Sequence, residues 1–182
     1  MRKSILILLA VLAFDVWWRA HTFAPTIAEA TGLRLWPSAT GPSEPLDCDE
    51  AIYAHMGRRI LVGDVLYRDL TENKPPLGYW LYAAAIAVMG YSETAIRLLP
   101  TPYVLGTIAL VWWLGLRMSG AFAGGLAAFL FAVLSTDPYL FGNGSNMEHF
   151  MNFFSVASLA LMVAGWDRGK VGLFILAGVT LG

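Results

Sequence analysis

Apolar runs broken by short polar interruptions make up most of this chain, with one long polar interval near its start. Crossing about 30 Å of hydrocarbon takes roughly 17 to 25 mostly apolar residues. Residues 4–18, 98–116, 121–141 and 150–166 read as four spans, and 171–182 as a fifth, incomplete one. The first is preceded by Arg2 and Lys3 and closes on Trp17, Trp18 and Arg19, a basic flank and an aromatic one. No small-x-small cleavage site follows it, so it reads as a retained span rather than a signal peptide. The apolar run 78–90 is too short to span and fits an interfacial or buried helix.

Charge supports keeping that run on one side. If it does not cross, Arg2, Lys3, Arg117, Arg168 and Lys170 share one side with Asp167, as the positive-inside rule requires. Most other ionisable residues then fall outside, in an outer loop over about 19–97 and around Glu148, with Asp15 left in the bilayer. The stretch 20–45, with Pro25, Pro37, Pro42 and Pro45, reads as irregular loop. Over about 49–62, Ile52, Met56 and Ile60 recur at i, i+4 and i+8, while His55, Arg58 and Arg59 take the opposite face. That is the pattern of a helix lying on a bilayer, capped by Asp47 or Asp49. Pro75 and Pro76 open a second juxtamembrane helix over about 76–89. The fold class is therefore all-α, a polytopic transmembrane helix bundle with amphipathic juxtamembrane helices in its first outer, periplasmic loop.

Composition sharpens this. Of 182 residues 57% are hydrophobic and 14% charged, and mean hydropathy is +0.59, which excludes an ordinary soluble enzyme. A net charge of −1 offers no basic face to a nucleic acid. Cys48 is the single cysteine, so no disulfide forms within these residues. The unfinished last run marks the sequence as the N-terminal part of something longer, with no turnover expected of it alone.

The chemistry concentrates at outer membrane level. Asp49 and Glu50 open the first interfacial helix, where a carboxylate stays ionised and can accept a proton or simply cap. Glu148 begins the 150–166 helix after a Gly-rich loop, and a carboxylate at such a mouth faces the bundle or a cavity. His149 beside it can act as ligand or base, or only hydrogen-bond. Lys74 and Arg97 can bind a lipid-linked phosphate or anchor the chain at the interface. The triplet Asn143-Gly144-Ser145 matches a glycosylation acceptor, a pattern short enough to arise by chance. Phosphate loops, dinucleotide fingerprints, paired-histidine zinc motifs and nucleophile elbows are absent from the sequence.

Four segments in order, Asp49-Glu50-Ala-Ile-Tyr-Ala, Glu72-Asn-Lys74-Pro75-Pro76-Leu-Gly-Tyr-Trp80, Glu93-Thr-Ala-Ile-Arg97-Leu-Leu-Pro100 and Met147-Glu148-His149, together resemble the start of the GT-C glycosyltransferases. The resemblance runs over about 46–163 and is greatest to bacterial relatives of protein O-mannosyltransferases and of the lipid A aminoarabinose transferase. It implies a multi-pass protein of the bacterial cytoplasmic (inner) membrane, with its active-site loop on the periplasmic side and a polyprenyl-phosphate sugar as donor. It makes Asp49, with Glu50 beside it, the catalytic carboxylate, Glu148 the counterpart of a second acid usually seen as Asp, and Lys74 and Arg97 contacts to the donor phosphate. Asn73 stands where the aminoarabinose transferases carry an acid, with Glu72 one place off. Glu72 and His149 are thus the residues left for a divalent metal ion, the one cofactor that comes into question.

The implied reaction suits these residues. A sugar on a lipid phosphate already carries a good leaving group, so the protein must deprotonate an acceptor hydroxyl and stabilise the departing phosphate. Asp49 suits the first task; Lys74, Arg97 and Arg58 suit the second. The acceptor is a glycan, a lipid or a protein, and inversion at the anomeric carbon is expected. Two alternatives stand beside this: a non-catalytic membrane subunit or truncated remnant, and a transporter or flippase of lipid-linked intermediates.

Overall fold

The structure, a computed structural model, describes residues 2–31, 46–137, 140, 142 and 144–182, with the backbone alone for Arg2 and residues 20–31. Seven helices follow in order: α1 Arg2–Thr31, α2 Cys48–Leu61, α3 Pro76–Met89, α4 Glu93–Leu98, α5 Thr101–Leu134, α6 Met147–Arg168 and α7 Val171–Leu181. Among the described residues the protein is all-α, relieved by one isolated bridge between Leu66 and Leu70. Among the described residues two helical stretches, Glu93–Leu134 and Met147–Arg168, are long and apolar enough to cross a membrane.

α5 is two helices folded back on each other. Gly120 has φ 86° and ψ −175°, a conformation open essentially to glycine, and it reverses the chain. A Cβ on Gly115 would lie 2.7 Å from Gly124 Cα, so the two arms touch backbone to backbone. Val104 and Ile108 of the first arm share a buried cluster with Ala128 and Ala132 of the second and Val11 of α1. Small residues that let backbones approach are how helices associate where no water drives them together. Gly124 thus packs and Gly120 turns the chain.

The helices share two ends. Tyr103 stacks edge-on against Phe150 at 4.8 Å, and Arg117 forms an ion pair with Asp167, so the first arm of α5 and α6 run in the same direction. Ile7 of α1 lies against Gly125, whereas Arg19 reaches Ser135, so α1 runs alongside the second arm. Arg117, Asp167, Arg168 and Lys170 therefore gather at one end, with Lys3 near them. The start of α6 and the residues of α2 and α3 lie at the other. The twenty residues between Met147 and Asp167 rise about 30 Å, the thickness of a hydrocarbon core.

α2 and α3 pack side by side against the start of α6. Tyr53, Tyr79, Tyr82, Met147 and Phe150 form the core there, with edge-to-face contacts of Tyr82 to Tyr53 at 5.7 Å and to Phe150 at 6.3 Å. Each buried aromatic side chain stabilises by about 1.5–3 kcal/mol. α3 has 14 residues and so rises about 21 Å, short of a bilayer core.

Two boundaries differ most from the sequence pattern. α1 continues to Thr31 where irregular loop is expected from residue 20. Ala20, Ala24, Ala28 and Ala30 favour helix strongly enough to absorb the one hydrogen bond lost at Pro25. The remaining loop positions, Pro37, Pro42 and Pro45 included, lie outside the described residues, as does Asn143. The second arm of α5 ends at Leu134 rather than 141. Thr136 Oγ1 bonds back to Val133 O at 2.9 Å, and Pro138 disfavours helix at Asp137.

Candidate active site

The start of α2 decides which acid is free. Asp47 is the N-cap: its Oδ1 accepts from Asp49 N at 2.7 Å and Glu50 N at 3.0 Å. Glu50 Oε2 accepts in return from Asp47 N at 3.1 Å, completing a capping box. The other Glu50 oxygen, Oε1, accepts from Ser145 N at 2.6 Å, across 95 residues of chain. Glu50 is 2% exposed, with both oxygens engaged. Asp49, on the next turn position, is exposed, and its carboxylate makes no hydrogen bond among the described residues.

Around Asp49 the structure assembles the other charged candidates. Lys74, just before the Pro75-Pro76 start of α3, donates from Nζ to the Tyr53 hydroxyl and sits 4.8 Å from the centre of that ring. The same Nζ is 4.0 Å from Glu148 Oε1 in the first turn of α6. Asp49 and Glu148 both act electrostatically on Lys74 and on Tyr53. The hydrogen bond to Tyr53 holds the Lys74 ammonium above its ordinary pKa, with the acids adding to it, so it stays charged. Burial raises the Tyr53 phenol, and Lys74 opposes that rise.

Asp49 and Glu148, but not Lys74 or Tyr53, line a cavity of about 670 Å³ whose other lining residues include Asp47 and Asn152 and, from α5, Phe131 and Leu134. That size suits a small-molecule site, and polar groups facing an apolar wall suit an amphipathic ligand. The loop before α6, which contributes Asn146 to the lining, is held by polar contacts. Tyr82 Oη donates to Ser145 O, His149 Nε2 donates to Gly144 O at 3.1 Å, and Glu50 holds Ser145 N.

Asp49 and Glu148 thus share the cavity lining, and Lys74 joins them through Glu148. Arg58, Arg97 and Glu72 are not among the cavity-lining residues. Arg58 lies over the Tyr91 ring at 5.1 Å, nine residues and about 13 Å along α2 from Asp49. Arg97 closes the short helix α4. Glu72 Oε1 accepts from Asn73 N at 2.8 Å. His149 lines the cavity but is 5% exposed and turned onto Gly144. Among the described residues no group of three or more His, Cys, Asp or Glu could hold a metal ion.

Tyr53 escapes a reading of the sequence as a site residue, although its place four residues after Asp49 puts it on the same helical face. Arg19 escapes it too, standing four residues after Asp15, with which it pairs.

Two helical stretches long and apolar enough to cross a membrane, with carboxylates gathered at one cavity, define a helical protein of membrane type. The chain belongs to the dolichyl-phosphate-mannose-protein mannosyltransferase family, a family of membrane glycosyltransferases, whose model matches residues 73–182, more than half of its length. Lys74 and Glu148 lie within the matched region and Asp49 before it. The chain is also similar to an uncharacterized protein of Aquifex aeolicus (strain VF5), 27% identical over 134 residues, which cover 71% of this chain and 27% of that protein. It thus spans about a quarter of the length of the curated relative it matches. No solved structure matches it.

Proposed function

We propose that the protein transfers a sugar from a polyprenyl-phosphate donor to an acceptor hydroxyl at the outer face of the bacterial inner membrane. The observation that supports this reading is that Asp49 and Glu148 line one cavity together with the apolar Phe131 and Leu134, and that Lys74 is held 4.0 Å from Glu148. Asp49 is the general base that takes the acceptor proton. Lys74, held charged by Tyr53, meets the donor phosphate as negative charge builds on it. Glu148 holds Lys74 beside the cavity and orients the sugar. The Phe131 and Leu134 wall receives the first part of the isoprenoid, so the rest of the chain remains in lipid.

The outer-face assignment follows from charge. Arg117, Arg168 and Lys170 stand at the end opposite the cavity, as the positive-inside rule places a cytoplasmic end. A single displacement gives inversion, which product stereochemistry tests; net retention would eliminate it. Asp15, the intramembrane acid a flippase would use, is paired with Arg19, which favours transfer over transport.

The test is sugar transfer by the intact protein, reconstituted with a polyprenyl-phosphate sugar. Asp49→Asn is expected to lower kcat by about 10²- to 10⁴-fold, the usual range for a lost general base. Unchanged transfer by that variant would remove Asp49 from the chemistry.

A further inference from the structure

Arg19 lies in α1, which supplies no residue to the cavity lining described above. It is 3% exposed and reaches across the fold to the α5–α6 connection. Its Nε donates to Asp15 Oδ2 at 3.2 Å, and its Nη1 to Gly142 O at 3.3 Å. Its Nη2 donates to Ser135 O at 2.5 Å and to Ser135 Oγ at 3.0 Å. Ser135 and Gly142 both line the cavity. They are pressed together: a Cβ on Gly142 would lie 2.6 Å from Ser135 O. One guanidinium fork therefore clasps both sides of the bend that leaves α5, at a helix C-terminus whose carbonyls favour a cation.

The far side of the same connection is held by other elements, α2 through Glu50 and α3 through Tyr82. Glu148 follows three residues after Ser145. Where its carboxylate stands relative to Asp49 is thus set by a connection tethered at both sides, one tether being Arg19.

Stability alone does not account for the pair. Desolvating two charges costs about what their attraction returns, and apolar replacement of a buried pair is often neutral or stabilising. Asp15 is fully buried, and its Oδ1 has no hydrogen-bond partner among the described residues, a further cost. We propose that Arg19, oriented by Asp15, is a positioning residue that fixes the cavity wall and, through it, the placement of Glu148 opposite Asp49. This rests on the proposed transfer reaction for its catalytic consequence, but its effect on the wall is measurable without it.

The experiment uses the intact protein carrying Asp15→Leu with Arg19→Met, and separately Arg19→Lys and Asp15→Asn. Three quantities are read: Tm, the rate at which a maleimide modifies Cys48 at the cavity rim, and kcat and KM with a polyprenyl-phosphate sugar. The double variant is expected to keep or raise its Tm, to change its Cys48 rate several-fold, and to lose on the order of 10- to 100-fold in kcat with little change in KM. Arg19→Lys keeps the charge without the fork and shows the same split. Asp15→Asn still offers an oxygen to Nε but leaves a buried cation unpaired, so it lowers Tm while keeping the Cys48 rate and kcat near wild type. Wild-type kcat and Cys48 rate in a folded double variant would overturn the inference; if that variant does not fold, the same result in Arg19→Lys overturns it. Should the wild-type protein transfer no sugar, the reaction proposal fails, and the Cys48 rates alone decide whether Arg19 sets the wall.

Discussion

Lys74 Nζ stands 4.0 Å from Glu148 Oε1, joining the loop before α3 to the first turn of α6. Tyr53 lies behind the lysine and binds its ammonium from the other side. The lysine is therefore directed from two helices. An approaching phosphate would meet a cation already oriented and need not reorder a free side chain, the advantage of preorganisation in charge stabilisation.

Asp47 and Asp49 should separate stability from activity. Asp47→Ala removes the N-cap of α2 and is expected to cost about 1 kcal/mol, seen as a lower Tm. Asp49→Asn leaves the cap untouched, so its Tm should match wild type while transfer collapses. A Tm loss on Asp49→Asn equal to that of Asp47→Ala would mean that Asp49 serves the helix after all.

Glu50→Ala strands the N–H groups of Asp47 and Ser145, the latter buried. Each unsatisfied buried donor costs about 1–3 kcal/mol, so thermal unfolding should come markedly earlier. Glu50→Gln keeps one acceptor and should recover part of the loss. Equal Tm values for the two variants would show that neither hydrogen bond matters.

Tyr53→Phe keeps the ring over Lys74 but removes the hydroxyl. Lys74 holds its proton above its ordinary pKa of 10.5 and Tyr53 above its ordinary 10.0. Both groups bind protons more tightly folded than unfolded, so their contribution is complete below those values and fades as pH climbs through the folded ones. In the variant this alkaline loss of stability should shrink, and the alkaline limb of transfer should move to lower pH as Lys74 loses its support. Superimposable pH profiles for wild type and Tyr53→Phe would count against the pairing.

Gly120→Ala places a Cβ at φ 86° and ψ −175°. Strain there costs about 1–3 kcal/mol, and it should splay the arms of α5 at the Gly115–Gly124 contact. Cross-linking of cysteines introduced at 108 and 128 should then slow relative to the Gly120 parent. An unchanged rate would show that the reversal does not depend on glycine.

Cys48 lies exposed on the cavity rim beside Asp49. A membrane-impermeant maleimide added from the periplasmic side should modify it, and bound polyprenyl phosphate should slow the reaction. Modification only from the cytoplasmic side would invert the proposed topology.

Much of this protein can be read from its residues in order, because the signals are local. Apolar runs set helices, Pro75 and Pro76 open α3, and the Asp-Glu pair marks the start of α2, each determined by neighbours a turn away. The candidate acids and Lys74 were legible for the same reason, through the spacing of their segments. Which of them meet was not legible, since contacts between residues far apart in sequence are made by packing, and packing depends on every helix at once. The tertiary structure alone separated Asp49, left free, from Glu50, spent on Asp47 and Ser145. It left Arg58 over Tyr91 and drew Lys74 onto Tyr53 and Glu148. It likewise turned Asp15, an acid left in the bilayer, and Arg19, a flank of the first span, into a clasp on the α5–α6 connection. The physical reason is common to all of these: a buried charge or backbone donor must find a partner, and only the folded chain determines which partner is within reach.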